Sequence, residues 1–221
     1  MSFSTHPAFR HNESWLSRIK SLSKGQHLAD VTDSYQRMRT SAVLGEVDSE
    51  KALSILDVGC GYGLTLRELS RLGYKCCGCD ISADLIEYHN AHSPWGKFKL
   101  CEVGQPLPFP EEHFDVVIST EVIEHCYDVH GFLVEIRRCL KQPGGRLILT
   151  TPYHGVVKLL AIVASGRFEQ HFDPTGEHIR FFTVKSLLGA LLSCGFCVTC
   201  VKGIGRFPYL HKSMLVSSVL L

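Results

Sequence analysis

The sequence predicts an α/β fold built on a doubly wound, mostly parallel sheet of seven strands with helices on both faces. From residue 53 onwards, short apolar segments alternate with segments whose apolar residues recur at helical spacing, which is typical of a parallel α/β sheet. The first apolar segment ends at Asp57 and runs into Gly59-x-Gly61-x-Gly63, so a tight turn joins the first strand to the first helix. The segment 114–119 is apolar through most of its length, as expected of a central strand covered on both faces.

The order of the elements follows from the turn residues between them. Strands are expected at 54–58, 75–79, about 98–101, 114–119, 146–151, 196–202 and 214–220. Helices are expected at 64–72, from the N-cap Ser82 to about residue 92, at about 129–140 and at 184–194. Pro143-Gly144-Gly145 and Gly195 end the last two helices, and a ligand is expected beyond the carboxyl ends of the central strands.

Two segments stand outside this alternation. Residues 1–50 are expected to form an N-terminal helical cap, with helices near 15–22 and 32–44 that cover the cofactor or the substrate. Residues 51–221 form the main domain, in which an insertion at about 152–182 contains the short apolar segment 156–163. This segment is interpreted as a lid over a substrate pocket, although an ordinary packing helix fits the pattern equally well.

Length, charge and composition limit the class of protein. A chain of 221 residues fits one domain with a sizeable core, and a formal net charge of +1 gives no strong field for nucleic acid or membranes. The start lacks a basic and then apolar leader, and no apolar run approaches the ~18 residues of a membrane span, so a cytoplasmic location is expected. The ten cysteines include two close groups, at 76–79 and 194–200, which are interpreted as small buried apolar residues rather than a metal or disulfide framework.

The glycine-rich turn is suited to a ligand that carries positive charge. Glycine lets the backbone lie against a ligand, whereas the adjacent carboxylate of Asp57 would repel phosphates and could pair with a cation. Asp80, at the end of the second strand, can accept two hydrogen bonds from ribose hydroxyls. Taken singly, the glycines also fit a plain strand-to-helix turn and Asp80 also fits a helix cap.

Five segments in order resemble the motifs of class I S-adenosylmethionine-dependent methyltransferases, and the branch that they resemble is the ubiquinone-biosynthesis O-methyltransferases. They are Asp57-Val-Gly-Cys-Gly-Tyr-Gly63, Cys76-Cys-Gly-Cys-Asp80, the loop 102–109, the segment 114–125 and the segment 140–150. The resemblance implies a Rossmann-like sheet whose last strand is antiparallel, and S-adenosyl-L-methionine as cofactor. The cofactor-binding residues that it implies are Asp57, Gly59, Gly61, Gly63, Asp80, Ile81, Glu102, Val103 and Ser119.

The segment Glu121-Val-Ile-Glu124-His125 is a second feature with chemical content. On a helical turn these three side chains would share one face, and carboxylates with imidazole suit Mg²⁺, Mn²⁺ or Zn²⁺. The segment resembles a Glu-x-x-Glu-His signature of the ubiquinone branch and of small-RNA 3′-terminal 2′-O-methyltransferases, in which a later histidine joins the metal site; His178 is the candidate here. Glu121, Glu124, His125 and His178 are therefore hypothesised to bind one divalent cation. In the alternative, His125 acts alone as a base, and His125 and Glu124 are the candidate catalytic residues.

The function expected from these motifs is methyl transfer to a hydroxyl of a small, sugar or lipid-linked acceptor. The sequence Ser-Thr-Glu-Val at 119–122 replaces the Asn-Pro-Pro-Tyr type motif of many N-methyltransferases, which favours oxygen as the acceptor. Two alternatives remain: a metal-assisted RNA ribose 2′-O-methyltransferase, disfavoured by the dispersed basic residues, and a non-catalytic methyltransferase-like binding partner. The sequence leaves open the acceptor, the metal, the oligomeric state and the role of residues 1–50.

Overall fold

The computed structural model describes residues 34–47 and 53–220, and every strand predicted from the sequence is present. The strands are β1 Ser54–Val58, β2 Lys75–Asp80, β3 Gly96–Leu100, β4 Val116–Thr120, β5 Arg146–Pro152, β6 Phe196–Ile204 and β7 Ser213–Leu220. The α-helices are α1 Ser34–Leu44, α2 Leu64–Arg71, α3 Ala83–His92, α4 Val129–Cys139, α5 Val156–Ala164, α6 Phe168–His171 and α7 Val184–Ser193. The helix expected at 32–44 is confirmed as α1, and the one expected near 15–22 lies outside the described residues.

The seven strands form one sheet in the order β3-β2-β1-β4-β5-β7-β6. The first five are parallel, and β7 is antiparallel to both β5 and β6. The predicted fold class, including the antiparallel last strand, is thus confirmed. From β1 the chain continues through β2 to β3 at one edge of the sheet and then returns to β4 on the other side of β1. The strand order therefore reverses between β1 and β4, and a crevice for a ligand lies at their carboxyl ends.

A hydrophobic core covers each face of the sheet. On one face, α4 and α7 bury leucine and isoleucine side chains such as Leu133 and Leu187 against the central strands. On the other face, α2 and α3 pack beside α1, whose Val43 is completely buried with Leu66 of α2. Because α1 is anchored in this way, its polar side chains have fixed positions above the end of β1.

All ten cysteines are free thiols. Cys60, Cys76, Cys79, Cys139 and Cys194 are buried apolar residues of the two cores. Cys197 is exposed on β6, whereas Cys194 is buried and Cys200 is partly buried, so the three thiols do not converge on one site.

The segment 152–182 carries a short helix with an unusual distribution of side chains. In α5 the exposed fractions of Val156 and Leu160 are 71% and 65%, whereas that of Lys158 is only 7%. An ordinary packing helix turns its apolar face to the core, and α5 does the reverse. Within the described part of the chain, no helix is long and apolar enough to cross a bilayer.

Candidate active site

The glycine turn after β1 has a backbone that larger residues would not adopt. Gly59 has φ +77°, and a Cβ added there would lie 2.3 Å from Cγ2 of Val122. The amides of Gly59 and Cys60 both donate to the carbonyl of Cys79, at 2.8 and 3.0 Å. The turn is therefore fixed to the end of β2 and pressed against the segment that follows β4, so the two sequence motifs meet in space.

His89 of α3 supports the same turn, a role that the sequence did not reveal. Its Nε2 lies 2.8 Å from the carbonyl oxygen of Gly61, and its Nδ1 lies 3.1 Å from Oγ of Ser93. The ring stacks on Phe98, with ring centroids 4.2 Å apart, and only 1% of the residue is exposed. Burial lowers the pKa of His89, so the imidazole is held neutral against the turn.

Asp80 projects from the end of β2 beside the glycine turn. One carboxylate oxygen accepts from the amide of Gly61 at 2.9 Å and the other from the amide of Ser82 at 3.0 Å. Each oxygen keeps acceptor capacity for a further donor, as a ribose diol requires. The side chains of Ile81 and Val103 beyond it are 67% and 76% exposed, which leaves two apolar surfaces free at this end of the sheet.

Glu102 and Ser119 were also expected near the cofactor. Glu102 follows β3 and is exposed beside Val103. Ser119 is completely buried, and its hydroxyl donates to the carbonyl of Val58 at 3.1 Å, so its side chain joins β4 to β1. The next residue, Thr120, lines the crevice instead.

Asp57 is the carboxylate that the structure leaves most in need of a cation. It is 2% exposed, and its Oδ1 has no hydrogen-bond partner among the described residues. Burial, with the nearby charge of Asp80, raises the pKa of Asp57 to about 8. A buried carboxyl group without a counter-ion is costly, and an ammonium group placed here would remove that cost.

A small cavity of about 30 Å³ lies over Asp57 and is roofed by α1. The side chains around it are Gln36, Arg39, Thr40, Asp57, Cys60, Leu64, Thr65 and Thr120. Arg39 is the one cation among these lining residues, and it also pairs with Glu121 at 3.3 Å. A ligand with both an ammonium and a carboxylate would therefore find an acidic and a basic side chain around this cavity.

The structure corrects the prediction that Glu121 shares a helical face with Glu124 and His125. Glu121 has a left-handed backbone with φ +55°, and only Ile123–His125 form a short 3₁₀ helix. The Glu121 carboxylate accepts from the hydroxyls of Thr150 and Ser213, both at 2.9 Å. Together with the Arg39 ion pair, these contacts hold the Glu121 carboxylate, which is not part of the cluster of potential ligand atoms formed by the other three candidates.

The remaining three candidate metal ligands are brought together. One potential ligand atom from each of Glu124, His125 and His178 lies within 4.8 Å of the other two. The carbonyl of Glu124 accepts from the amides of Ile179 and Arg180, both at 3.0 Å, which holds the segment 177–180 beside the 3₁₀ helix. The ring centroids of His125 and His178 are 4.9 Å apart.

The protonation of this group follows from its contacts. Nδ1 of His125 lies 2.9 Å from the carbonyl oxygen of Glu177, which can only accept, so in the neutral ring Nδ1 carries the hydrogen and Nε2 presents the lone pair. The pKa of His178 is lowered to about 4 by partial burial of its ring and by His125 and His171, so this ring is neutral. Burial and the charge of Glu121 raise the pKa of Glu124 to about 8.

Glu124 resembles Asp57 in having an unmet interaction. It is completely buried; Oε2 accepts from the hydroxyl of Thr151 at 3.0 Å, and Oε1 has no partner among the described residues. A buried carboxyl oxygen and two imidazoles with available nitrogens form a donor set that a divalent cation would satisfy. The same set can instead hold a proton taken from a substrate hydroxyl.

Comparison with known proteins agrees with the geometry. A family profile described as a methyltransferase domain matches residues 56–149. Over 172 residues the chain is 30% identical to a ubiquinone biosynthesis O-methyltransferase of Bradyrhizobium sp. (strain ORS 278), covering 76% of this chain and 67% of that protein. Over 167 residues it is 32% identical to the mitochondrial ubiquinone biosynthesis O-methyltransferase of Homo sapiens, covering 71% of this chain and 45% of that protein.

Solved structures share the fold at lower sequence identity. A methyltransferase from Haloferax volcanii, solved with the Trm112 methyltransferase activator, superposes with a TM-score of 0.70 at 20% identity over 94% of each chain. An S-adenosylmethionine-dependent methyltransferase from Mesorhizobium loti gives 0.64 at 20% identity, over 82% of this chain and 97% of that one. The strand order, the glycine turn with its two acidic residues and these relatives show that the chain belongs to the class I S-adenosylmethionine-dependent methyltransferases.

Proposed function

We propose that this enzyme transfers a methyl group to a hydroxyl of a small or lipid-linked acceptor. The observation that supports this most directly is His125, whose Nδ1 is held by the Glu177 carbonyl so that Nε2 is left as a proton acceptor. A neutral hydroxyl is a poor nucleophile, so an O-methyltransferase benefits from a base at the transfer point. The contact between Gly59 and Val122 brings the turn that carries His125 against the cofactor cradle.

The cofactor supplies a methyl group on a positively charged sulfur, which an acceptor oxygen displaces in line. Asp57 would pair with its ammonium group, Arg39 with its carboxylate, and Asp80 would accept from its ribose hydroxyls. Gly59, Gly61 and Gly63 let the backbone approach it, and Ile81, Glu102 and Val103 border the place for its adenine. Ser119 acts through the backbone that it ties to β1.

His125 would accept the proton of the acceptor hydroxyl at Nε2 as the oxygen attacks. The bond from Nδ1 to the Glu177 carbonyl keeps the ring oriented. The nearby Glu124 carboxyl group, which its raised pKa keeps largely neutral at neutral pH, would stabilise the imidazolium in its ionised form. The enzyme then mainly aligns acceptor and donor, and alignment of this kind can supply ~7–11 kcal/mol.

A divalent cation held by Glu124, His125 and His178 is the second means of activating the hydroxyl. When bound, such a cation lowers the pKa of a coordinated hydroxyl. The donor set fits, because Oε1 of Glu124 lacks a partner and both rings can be neutral. Two imidazoles and one carboxylate are ligands that Zn²⁺ accepts readily, and Mg²⁺ or Mn²⁺ can also use them.

Metal content tests this second means of activation. Protein purified without chelator should carry close to one divalent ion per chain, and Glu124→Gln or His178→Gln should lose most of it. His130→Gln, on the exposed side of α4, is the matched control and should keep the metal. Equal metal content in all four proteins, measured by inductively coupled plasma mass spectrometry, would leave His125 as the sole activator.

The lid favours an acceptor with an apolar part. The exposed apolar side chains of the lid include Val156, Val157, Leu160, Val163 and Phe168. Transfer of label from methyl-labelled S-adenosylmethionine should therefore be detected with phenols that carry an isoprenoid tail, or with lipid-linked sugars, before it is detected with short RNA. Transfer to RNA alone, or to none of these acceptors, would contradict the proposed acceptor class.

Arg39 gives a further prediction about the cofactor pocket. We expect Arg39→Ala to weaken binding of S-adenosylmethionine by about 10- to 100-fold, because one charge-assisted hydrogen bond is worth ~1.5–3 kcal/mol. Arg37→Ala, two residues earlier on the exposed side of α1, should bind the cofactor like the unchanged protein. Isothermal titration calorimetry measures both, and equal affinities of the two variants would show that α1 does not take part in cofactor binding.

A further inference from the structure

A second group of polar side chains lies under the lid, outside the methyl-transfer centre. His154 follows β5, Lys158 lies on α5, His171 ends α6, and Arg206 lies in the loop between β6 and β7. His154 and Lys158 are only 3% and 7% exposed. The cofactor pocket and the proposed transfer step use none of these four residues.

The two histidines have unmet hydrogen-bonding capacity. Their ring centroids are 5.4 Å apart, and both rings pack against Phe172 at 6.0 and 5.0 Å. Nδ1 of His154 and Nε2 of His171 are buried and have no hydrogen-bond partner among the described residues. Buried polar atoms are nearly always partnered in proteins, so these two nitrogens point to a partner that arrives with a ligand.

Lys158 is a buried cation without an acidic partner at contact distance in the described chain. Its Nζ donates to the carbonyls of Tyr153 and Lys212 at 2.7 and 3.3 Å, which uses two of its three hydrogens. Glu121 is close enough to influence it but is already bound by Arg39, Thr150 and Ser213. Lysine is rarely this buried unless an anion accompanies it.

Arg206 adds a second positive charge on a constrained loop. It has φ +59°, and Tyr209 in the same loop has φ +66°, a left-handed conformation that few non-glycine residues adopt. The loop ends at Lys212, whose carbonyl accepts from Nζ of Lys158 at 3.3 Å. The charge of Arg206 lowers the pKa of both Lys158 and His171, and at Lys158 the charge of Glu121 offsets part of that effect.

We propose that His154, Lys158, His171 and Arg206 form a subsite that binds an anionic oxo group of the methyl acceptor, a phosphate or a carboxylate. An ammonium, a guanidinium and imidazole N–H groups are the usual donors to such oxyanions. The anion would provide partners for the two orphan nitrogens and compensate the buried lysine. This inference rests on the proposed function and narrows its acceptor class.

The position of the subsite suits an acceptor that spans both sites. The ring of His154 packs on that of Phe181 at 5.2 Å, and the amides of Ile179 and Arg180, just before Phe181, donate to the carbonyl of Glu124, so the two sites adjoin. An acceptor could then present its hydroxyl to His125 while its anionic group binds at Lys158. The apolar rings of Phe172 and Phe181, with centroids 4.7 Å apart, lie beside the histidines and would contact the part between the two groups.

The direct test is titration of the cofactor-free enzyme with inorganic phosphate and, separately, acetate, observed through the histidine ring signals in NMR. We expect saturable shifts of the His154 and His171 signals with at least one of the two anions. Arg206→Gln should weaken that binding by tenfold or more, and Arg167→Gln, an exposed cation of the same lid, should not. Arg206 is exposed, so its replacement avoids the folding defect that a change at buried Lys158 would bring.

A steady-state assay gives the second measurement. For acceptors compared with and without a phosphate or carboxylate group, Arg206→Gln should raise KM only for the anionic member and leave kcat within about twofold. No saturable shift with either anion, or equal weakening in the Arg167→Gln control, would overturn the subsite. If no acceptor is methylated while the anion still binds through Arg206, the proposed function fails and the subsite stands.

Discussion

Replacing Asp57 by asparagine should stabilise the cofactor-free protein at pH 8 and nearly abolish its binding of S-adenosylmethionine. Asp57 is buried with an unpartnered oxygen, and its pKa is raised from 3.8 to about 8. Ionising this carboxyl group in the folded protein therefore costs stability that an amide would not cost. The cofactor ammonium compensates the charge, so the same substitution removes a buried ion pair and should weaken binding by about 2–5 kcal/mol, or roughly 30- to 5,000-fold.

The direction of the pH effect follows from proton linkage. Between pH 4 and 8 the folded chain binds a proton at Asp57 that the unfolded chain has lost, because the folded pKa is higher. The contribution of Asp57 to the free energy of unfolding is thus largest below pH 4 and declines as the pH rises through 8. The full shift corresponds to ~6 kcal/mol as an upper bound at ~1.36 kcal/mol per pKa unit, and structural relaxation should leave about 1–3 kcal/mol.

Urea unfolding at about pH 5.5, 7 and 8.5 measures the contribution of Asp57 to the free energy of unfolding. The unchanged protein should lose stability relative to Asp57→Asn as the pH rises, and saturating cofactor should reverse the order by mass action. Asp84→Asn, at an exposed position in the first turn of α3, is the control and should track the unchanged protein at every pH. If the free energy of unfolding varied with pH in the same way for Asp57→Asn and the unchanged protein, the pKa of Asp57 would not be raised in the folded chain.

The sheet and the cofactor cradle could be predicted because their signals are local. Parallel strands covered on both faces are continuous apolar runs, and the turn residues between them mark their ends within one or two positions. The glycine turn requires positive φ at Gly59 and Gly63, which the residue type itself indicates. The spacing carries no signal for the antiparallel direction of β7, which only the resemblance to a family predicts.

The parts that the sequence did not reveal depend on contacts between distant segments. Arg39 reaches the Asp57 pocket only because α1 is anchored on the sheet through Val43, and nothing in the spacing of α1 shows this. His89 supports the glycine turn from 28 residues away in sequence. In both cases the tertiary packing, not the local pattern, creates the role.

Glu121 shows how a plausible local pattern can fail. The i, i+3, i+4 spacing would place Glu121 with Glu124 and His125 on a helix, but Glu121 adopts a left-handed backbone and its carboxylate is captured by Arg39, Thr150 and Ser213. These three partners come from α1, β5 and β7, so their combined effect is invisible in the segment 121–125. By contrast, His178 does lie beside His125, a long-range proximity that the resemblance to a family implies and that no local pattern shows.

The second large effect is expected at His125. Replacing it by glutamine should lower kcat for methyl transfer by about 10²- to 10⁴-fold, the usual contribution of a positioned acid–base group. Affinity for S-adenosylmethionine should stay within about threefold, because His125 is not among the residues that line the cavity over Asp57. If His125→Gln lowered the affinity for S-adenosylmethionine by as large a factor as kcat, the turn after β4 would have lost its structure.

Two further variants separate the two means by which His125 could act. If His125 is a base that works alone, Glu124→Gln and His178→Gln should each keep kcat within about tenfold of the unchanged enzyme. If the three residues share a divalent cation, both variants should fall nearly as far as His125→Gln, and the losses should not add, since each one disrupts the same ion. His130→Gln reports any general effect of removing a histidine nearby and should remain fully active. Full activity of His125→Gln, with either a phenol or a lipid-linked sugar as acceptor, would exclude both the base and the metal mechanism. Each of them requires the Nε2 lone pair that the Glu177 carbonyl leaves free.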